Sequence, residues 1–206
     1  MGRMFRYVAL AAMVAAGVSC GGSALTQSQS PVLLVVNALE ASPSGGHGAN
    51  TFTGSLLSDV VVLLTAPPPC STDSPCATVY NDLGRVTLAI APKNLSIVPS
   101  SNNQVTISRY HVDFVRADGH NTPGVDVPFS FDGAVTGTVP ETGTAQLVFE
   151  LVRHTAKEEA PLAQLASNPA IIHTIARVTF YGQDLVGNAI SVSGTIGVDF
   201  GNFGDQ

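Results

Sequence analysis

Two polar residues on one predicted strand are the first place to look for chemistry. His111 and Asp113 lie two positions apart, so on a β-strand their side chains share a face. An imidazole and a carboxylate on one face are compatible with a metal site or an acid–base pair. The same spacing also describes the outward face of a strand whose other face carries Tyr110, Val112 and Phe114. We favour the outward face and predict neither a catalytic nor a metal-binding residue.

Calcium binding is a second chemical possibility. The Asp-Gly dipeptides that begin at Asp118 and Asp132 primarily indicate turns. Together with Asp184 and Asn188 they could also supply oxygen ligands for calcium. Calcium requires six or more oxygens in one place, and the chain has no dense Asp-x-Asp run. We therefore expect no metal and no cofactor. The chain also lacks the H-E-x-x-H, G-x-S-x-G, phosphate-loop and dinucleotide motifs, so we predict that it is not an enzyme.

The three cysteines are the remaining reactive side chains. Cys70 and Cys76 bracket a polar loop that follows three prolines, and an oxidising compartment would close this loop as a disulfide. A metal site is the alternative, but no nearby His or further Cys supplies the remaining ligands. Because the ring is small, we expect the disulfide to contribute about 2 kcal/mol, mostly locally. Cys20 is then the odd cysteine and requires its own explanation.

The residues before Cys20 indicate export. Arg3 and Arg6 precede an apolar run over residues 7–18, and small residues follow it, which is the layout of a secretory signal peptide. The run is too short to cross a bilayer, which takes about 20 residues. The segment Gly-Val-Ser-Cys that ends at Cys20 resembles the lipobox of bacterial lipoproteins.

In bacterial lipoproteins the cysteine thiol is acylated and becomes the mature N-terminus. The resemblance implies a signal peptide over 1–19, a Cys20 lipidated with acyl chains such as palmitate, and attachment to the membrane through this lipid. Gly21, in place of the Asp that commonly retains lipoproteins at the inner membrane, favours the outer membrane where the cell has one. Residues 20–30 are predicted to be a flexible tether that reaches about 18 Å. The alternative is ordinary cleavage after Ala24, which would discard Cys20.

Composition limits the fold and the partners. Without Arg3 and Arg6 the chain keeps 7 basic residues against 15 acidic ones, a net charge of −8. Such a surface is a poor candidate for binding nucleic acid or anionic lipid headgroups. Only 12% of the residues are charged, whereas Gly and Pro number 20 and 13, which is typical of an all-β domain with many turns. Residues 31–206 are long enough for one domain with a sizeable core.

Alternating hydrophobicity predicts about eight strands, as in a β-sandwich. They cover residues 32–39, 60–65, 85–91, 104–116, 125–131, 145–153, 171–182 and 189–200. The pattern over 104–116 changes phase near Ser108 and Arg109, which indicates a β-bulge. Pro128 marks 125–131 as an edge strand, since proline cannot donate to a ladder.

Other features refine the prediction. The nearly continuous apolar runs over 32–39 and 60–65 predict strands covered on both faces. We expect Asp59 at a strand start with its carboxylate bonded to the backbone, because an unpaired buried carboxylate is costly. A short helix is predicted to open at Pro161 and to carry Leu162 and Leu165.

The last two predicted strands form a hairpin through a short connection that ends in Gly-Asn. The run Asp-Leu-Val-Gly-Asn over 184–188, preceded by Val-Thr-Phe-Tyr, resembles the closing hairpin of bacterial immunoglobulin-like domains. The resemblance implies an all-β, immunoglobulin-like β-sandwich of roughly eight strands with one short crossover helix. It implies an architecture and no chemistry.

We therefore expect a lipid-anchored protein of the cell envelope or cell surface with a non-catalytic, protein-binding or structural role. The surfaces expected to bind an envelope or surface protein are the 125–131 strand and the loops at 41–50 and 67–76. The alternative is a periplasmic or secreted β-sandwich that binds a small ligand between its sheets. A hydrolytic enzyme of unrecognised type is the third possibility.

Overall fold

The computed structural model describes residues 29–46, 48–96 and 98–204, and these residues are mainly β-strands. The described strands are β1 (Val32–Pro43), β2 (Ser55–Asp59), β3 (Val62–Leu64), β4 (Cys76–Thr78), β5 (Asp82–Pro92), β6 (Val105–Val115), β7 (Phe131–Val139), β8 (Thr144–Val152), β9 (Ile172–Asp184) and β10 (Ala189–Gly201). The helical segments between strands are a 3₁₀ turn at Ser101–Asn103, the one-turn helix α1 (His154–Lys157) and a 3₁₀ helix at Leu162–Ser167.

Two sheets pack face to face as a β-sandwich. The smaller sheet has the order β1-β5-β8, the larger has the order β2-β10-β9-β6-β7, and β3 and β4 form a separate two-stranded sheet. The pairings are antiparallel except for β2 with β10, which is parallel. The largest fully buried side chains, which include Phe180, Phe200, Leu56, Leu88 and Ile107, form one continuous core. The prediction of an all-β sandwich is confirmed.

The last hairpin follows from its period-two pattern. In β10 the side chains of Ile190, Ile196, Val198 and Phe200 are buried, as predicted, while residues between them are half-buried or exposed. β9 and β10 pair from Ala189 opposite Gln183 onward in unbroken antiparallel register. The predicted hairpin is therefore confirmed, and it forms the centre of the larger sheet.

The predicted bulge in β6 is also confirmed. The register shifts between Ile107 and Arg109 against both neighbours, β7 and β9. The extra residue lets Ile107 and Tyr110 both point into the core, although their spacing of three would otherwise put them on opposite faces.

Aromatic rings join the two sheets. Tyr110 of the larger sheet lies 5.0 Å from Phe149 of the smaller sheet, and Phe149 lies 5.2 Å from Phe180, measured between ring centroids. The residue opposite each of the first two rings is a glycine, Gly133 for Tyr110 and Gly84 for Phe149. A Cβ at either glycine would come within 2.2 or 2.4 Å of the ring, so only glycine fits beneath it.

The prediction of a strand over 125–131 is wrong. These residues belong to the connection between β6 and β7, where the main-chain N–H groups of Val125 and Asp126 donate to the carbonyl of Thr122. The turn buries Val127 and leaves Val125 and Phe129 exposed. Local turn bonding outweighs the alternation of apolar residues here. The strand begins only at Phe131, in a glycine-rich stretch that the pattern did not identify.

The two strands predicted to be covered on both faces are covered on one. In β1 the side chains of Leu33 and Val35 are exposed, and in β3 Leu63 is exposed. β1 is at the edge of the smaller sheet, and β3 belongs to a sheet of only two strands. An apolar run therefore does not by itself show that both faces are buried.

The helical prediction is confirmed in position. Leu162 and Leu165 are buried in the 3₁₀ helix that follows Pro161 directly. The separate one-turn helix α1 precedes it, and its Ala156 and Lys157 are buried.

Candidate functional site

The strand directions place the connections at two opposite ends of the sandwich. We call the end that contains Ser30 the proximal end; it also contains residues 93–96, 98–104, 140–143 and 185–188. The opposite, distal end contains the connections 44–46 with 48–54, 60–81, 116–130 and 153–171.

Asp184 organises the proximal end. Its Oδ1 accepts the N–H groups of Val186 at 3.1 Å and Asn188 at 2.8 Å, and its Oδ2 accepts the Asn188 side-chain amide at 2.8 Å. Burial alone would raise the pKa of Asp184, but hydrogen bonds from Asn188, Ser30 and Val186 outweigh it, so this pKa is lowered. Asp184 thus connects Ser30, where the described chain enters the sandwich, to the β9–β10 turn.

Exposed apolar side chains surround this entry point. Leu95, Val98, Leu185 and Val186 are 91%, 87%, 58% and 72% exposed, and we call them the proximal apolar tips. The N–H of Lys93 donates to the carbonyl of residue 31 at 2.9 Å, so the 93–104 segment lies directly beside the entering chain. The proximal end therefore offers apolar side chains to whatever lies next to the N-terminal segment.

A disulfide-closed hairpin projects at the distal end. Cys70 and Cys76 form the predicted disulfide, with a Cα–Cα distance of 5.3 Å. Cys76 opens β4 and pairs with Leu64 of β3, so the disulfide links the connecting loop to the hairpin itself. Within the loop, Ser71 and Ser74 exchange two main-chain hydrogen bonds of 3.0 and 3.2 Å. The disulfide and these bonds hold the loop in one conformation.

A groove of 530 Å³ runs beside this hairpin. Its walls are residues 62–66 together with Gly46, Pro75, Asn202 and Gly204. None of these residues is charged, and Leu63 is 45% exposed. This distal groove is an uncharged, open depression on a protein whose net charge is negative.

A buried polar network lies beneath the distal end. Lys157 Nζ is 2.9 Å from Asp82 Oδ2 and donates to the carbonyl of Asp59 at 2.8 Å. The hydroxyl of Ser58 donates to the same Asp82 oxygen at 2.6 Å. The side chains of Lys157 and Asp82 are each only 1% exposed. Burial raises the pKa of Asp82, and the charge of Lys157 with the hydrogen bond from Ser58 offsets part of that rise.

Sequence reasoning singled out none of Ser58, Asp82 and Lys157. One signal was present, since Asp82 falls on the same alternating phase as Val86 and Leu88, which is the buried face of β5. Lys157 gave no such signal, because it lies in the 153–171 connection, outside any alternating strand pattern. The pair therefore emerged only from the tertiary structure.

Asp59 differs from its prediction in one respect. Its Oδ1 accepts the N–H of Val61 at 3.4 Å, so the expected bonding to the backbone is confirmed. It lies at the last residue of β2, however, and not at a strand start.

His111 and Asp113 share the outward face of the larger sheet, as predicted. The carboxylate that His111 contacts, however, belongs to Asp132 on the neighbouring strand and not to Asp113. The Nδ1 of His111 lies 3.3 Å from Asp132 Oδ1, which also accepts a hydrogen bond from Arg109 at 3.3 Å. The Arg109 guanidinium lies over the ring of Tyr181, 4.0 Å from its centroid. Partly exposed contacts of this kind contribute at most about 1 kcal/mol each.

The residues considered for calcium are not brought together. Asp118 lies at the distal end and Asp184 at the proximal end, and Asn188 donates its amide to Asp184. Gly119 takes a positive φ of 85° in the predicted turn, but Asp132 lies within β7 and not in a turn. Among the described residues, no group of three or more His, Cys, Asp or Glu side chains could hold a metal.

The predicted lipidation site lies outside the described residues, as do the signal peptide at 1–19, most of the tether at 20–30, and His47. In the part of the chain that the structure describes, no helix is long and apolar enough to cross a membrane.

Comparison with known proteins finds no match for this chain among family models, curated proteins or solved structures.

Proposed function

We propose that this chain is a bacterial envelope lipoprotein acylated on Cys20, whose immunoglobulin-like, non-catalytic sandwich binds a protein partner with its distal end. The observation that carries the proposal is the position of Ser30. Ser30 is hydrogen-bonded to Asp184 at the proximal end, so a tether from Cys20 would leave the sandwich at the end opposite the distal groove.

The proximal apolar tips support attachment at this end. A tether of about ten residues reaches on the order of 18 Å, so Leu95, Val98, Leu185 and Val186 would lie close to the bilayer surface. Exposed apolar side chains gain free energy when they enter the boundary between headgroups and acyl chains. Lys93 beside them has a long stem that would let its ammonium group stay among the headgroups. The lipid would supply most of the affinity and the tips the orientation.

The distal end supports partner binding. The distal groove is uncharged and concave, and the hairpin beside it is fixed by a disulfide, so little ordering is required when a partner binds. A pre-ordered surface of this kind suits a protein segment that inserts one or two apolar side chains. The groove also faces away from the proposed membrane surface, where an envelope partner can reach it.

The small-ligand alternative places its ligand between the sheets. At the level of Tyr110, Phe149 and Phe180 that space is filled by the packed rings. Native mass spectrometry of the purified protein tests the alternative: a retained small molecule in a fixed ratio would support it over the partner-binding function.

The first experiment tests the anchor. We expect protein from the membrane fraction to weigh more than the chain from Cys20 by a diacylglyceryl group and an amide-linked acyl chain. Cys20→Ala should lose this added mass and leave the membrane fraction. A soluble species that begins at Leu25 would contradict the proposal and favour the released, ligand-binding alternative.

The second experiment tests the orientation and the partner together. A photo-reactive amino acid is placed at Leu63 in the distal groove or, as the matched position, at Leu95 among the proximal tips. In intact cells we expect the first to cross-link to one protein and the second to cross-link to lipid. Protein adducts from Leu95 with none from Leu63 would reverse the assignment of the two ends.

A further inference from the structure

We propose that the outer face of the larger sheet binds a sugar acid, a saccharide that carries a carboxylate, in a cleft beside the β6 bulge. This bulge cleft has a volume of 460 Å³ and crosses β6, β9 and β10 close to the proximal end. The residues that line it include Ser108, Arg109, Tyr181, Gln183, Ala189 and Ser191. The site goes beyond the proposed function, because it uses neither the lipid anchor nor the distal end.

The bulge positions the cation of this cleft. Against β9, β6 pairs through Ile107 and then through Arg109, so Ser108 is an extra residue. A bulge bends its strand and changes the direction of the side chain beside it. Arg109 follows the bulge directly, and its guanidinium lies across β9 over the ring of Tyr181, 4.0 Å from the centroid. The irregular point of the ladder is therefore also the point where a cation is held over the sheet.

Arg109 presents a hydrogen-bonding fork that suits a carboxylate. Contact with the Tyr181 ring holds the guanidinium in place, while the side chain is still 55% exposed. Its Nη1 donates to Asp132 at 3.3 Å, which is longer than the ~2.7–2.9 Å of a close charge-assisted bond. Asp132 thus helps to orient the guanidinium and leaves N–H groups for a ligand. A planar fork that is already oriented binds a carboxylate through two parallel hydrogen bonds and loses little side-chain entropy.

The rest of the bulge cleft suits the hydroxyl groups of a sugar. Ser108 and Tyr181 offer hydroxyls and Gln183 offers an amide, and each of these groups can both donate and accept. Arg109, Tyr181 and Ser191 form one row across three neighbouring strands, and the row spans about 10 Å at the strand spacing of a sheet. This length, with the volume of 460 Å³, accommodates a monosaccharide or a disaccharide.

The charges distinguish a sugar acid from a neutral sugar or a simple anion. None of the described residues that line the bulge cleft is acidic, and Arg109 is the one cation among them, on a chain whose net charge is −6. A ligand carboxylate therefore meets a cation and no like charge in the lining. A neutral sugar leaves the guanidinium unused, and acetate leaves the hydroxyl and amide groups unused.

Ligand-observed NMR of the purified full-length protein tests the proposal. The probes are glucuronate, galacturonate and N-acetylmuramate, with glucose and acetate as matched compounds that lack the carboxylate or the sugar. We expect saturable binding of at least one sugar acid, with glucose and acetate weaker by about tenfold or more, because each loses one set of contacts. Failure of every sugar acid to bind saturably, or equal binding of glucose or acetate, would overturn the proposal.

A pair of arginine variants locates the site. Arg109→Gln should weaken the binding of the sugar acid by about tenfold, to the level of glucose. Arg177→Gln is the matched control, because Arg177 is also exposed on the outer face of β9 but lies outside the bulge cleft, and it should bind like wild type. Both arginines are exposed, so neither change is expected to unfold the sandwich. Wild-type affinity in Arg109→Gln, or an equal loss in the two variants, would contradict a site at the bulge.

The same titration distinguishes a free sugar acid from a unit of a polysaccharide. A galacturonate oligomer that binds more tightly than galacturonate itself would support a polysaccharide as the source of the acid. Equal affinities would support a free sugar acid in the same cleft. In both cases Arg109→Gln should remove the gain over glucose, and its failure to do so would overturn the proposal.

Discussion

At the proximal and distal ends of the sandwich, the connections between strands are stabilised by different kinds of contact. The proximal end has two short turns, at 140–143 and 185–188, beside the longer connection between β5 and β6, and the carboxylate of Asp184 satisfies the N–H groups of Val186 and Asn188. The distal end uses long connections and stabilises them from below with the buried Lys157–Asp82 pair and from outside with a disulfide. Short connections need only local hydrogen bonds, whereas long ones require contacts between residues distant in sequence. Because such contacts hold the distal connections in place, the residues on their surface can change to form a binding surface.

The difference extends to what each end exposes. The proximal apolar tips are isolated side chains on turns. The distal end also exposes apolar side chains, such as Val125 and Phe129, but it has in addition the distal groove beside the disulfide-closed hairpin. Projecting apolar tips fit a soft, deformable layer such as a bilayer surface, and a groove fits a shaped partner. The predictions below separate these two roles.

The largest effect is expected from Lys157→Ala. It leaves the Asp82 carboxyl buried with the Ser58 hydroxyl and the Ser44 main-chain N–H as its donors and no cation beside it, and breaking a buried pair in this way costs about 3 to 5 kcal/mol. Urea denaturation at neutral pH measures the loss. The double variant Lys157→Met with Asp82→Leu should recover a large part of it, because it removes both charges together. A loss below about 1 kcal/mol in the single variant would show that the network does not support the distal end.

Removal of the disulfide should have the next largest effect. Cys70→Ser combined with Cys76→Ser is expected to lower the free energy of unfolding by about 2 kcal/mol, since the bond closes only a small ring. The consequence should be local: limited proteolysis is expected to cut within residues 65–75 while the proximal turns stay resistant. Cleavage first at residues 93–104 would mean that the disulfide supports the whole sandwich.

At the proximal end, Asp184→Ala should cost about 1.5 kcal/mol, because four donors on Val186, Asn188 and Ser30 lose a charged acceptor. The lowered pKa of Asp184 fixes the sign of the pH dependence. The stabilisation is fully present above the unfolded value of 3.8 and is lost as the pH falls below it through the folded pKa. The difference between wild type and variant should therefore shrink in acid. Asp184→Asn keeps an acceptor oxygen and serves as the control, with a smaller loss at neutral pH.

The smallest effect on stability, under about 0.5 kcal/mol, is expected from a tryptophan reporter at either end. The chain contains no tryptophan, so Leu95→Trp and Leu63→Trp each introduce a single fluorophore. In the lipidated protein on phosphatidylcholine vesicles, emission from Trp at position 95 should shift to the blue and emission from position 63 should not. Equal emission from the two positions would remove the argument that the proximal end faces the membrane.

Strand prediction succeeded where the local pattern and the tertiary packing agree. β9 and β10 pair with each other along their length, so burial follows the pattern at Ile190, Ile196, Val198 and Phe200, while Val192 on the same face is half-buried. The bulge in β6 was predictable for the same reason, because a change of phase in the sequence is a change of face in a sheet. The Cys70–Cys76 disulfide was predictable because the two residues are so close along the chain.

Prediction failed where neighbours in space decide the outcome. Residues 125–131 alternate like a strand, yet hydrogen bonds to Thr122 make them a turn. Leu33 and Leu63 belong to apolar runs, yet they are exposed because of the strands' positions in their sheets. His111 was considered with Asp113 on its own strand, whereas its contact is with Asp132 on the next one.

The sequence by itself determined that this is an all-β protein with a paired cysteine loop and a regular closing hairpin, because these features depend on residues close along the chain. Only the tertiary structure decided that Ser58, Asp82 and Lys157 meet in a buried network, and that Ser30 lies at the end opposite the distal groove. These juxtapositions join residues from different strands and connections. Their sequence separation carries no local signal, so packing alone brings them together.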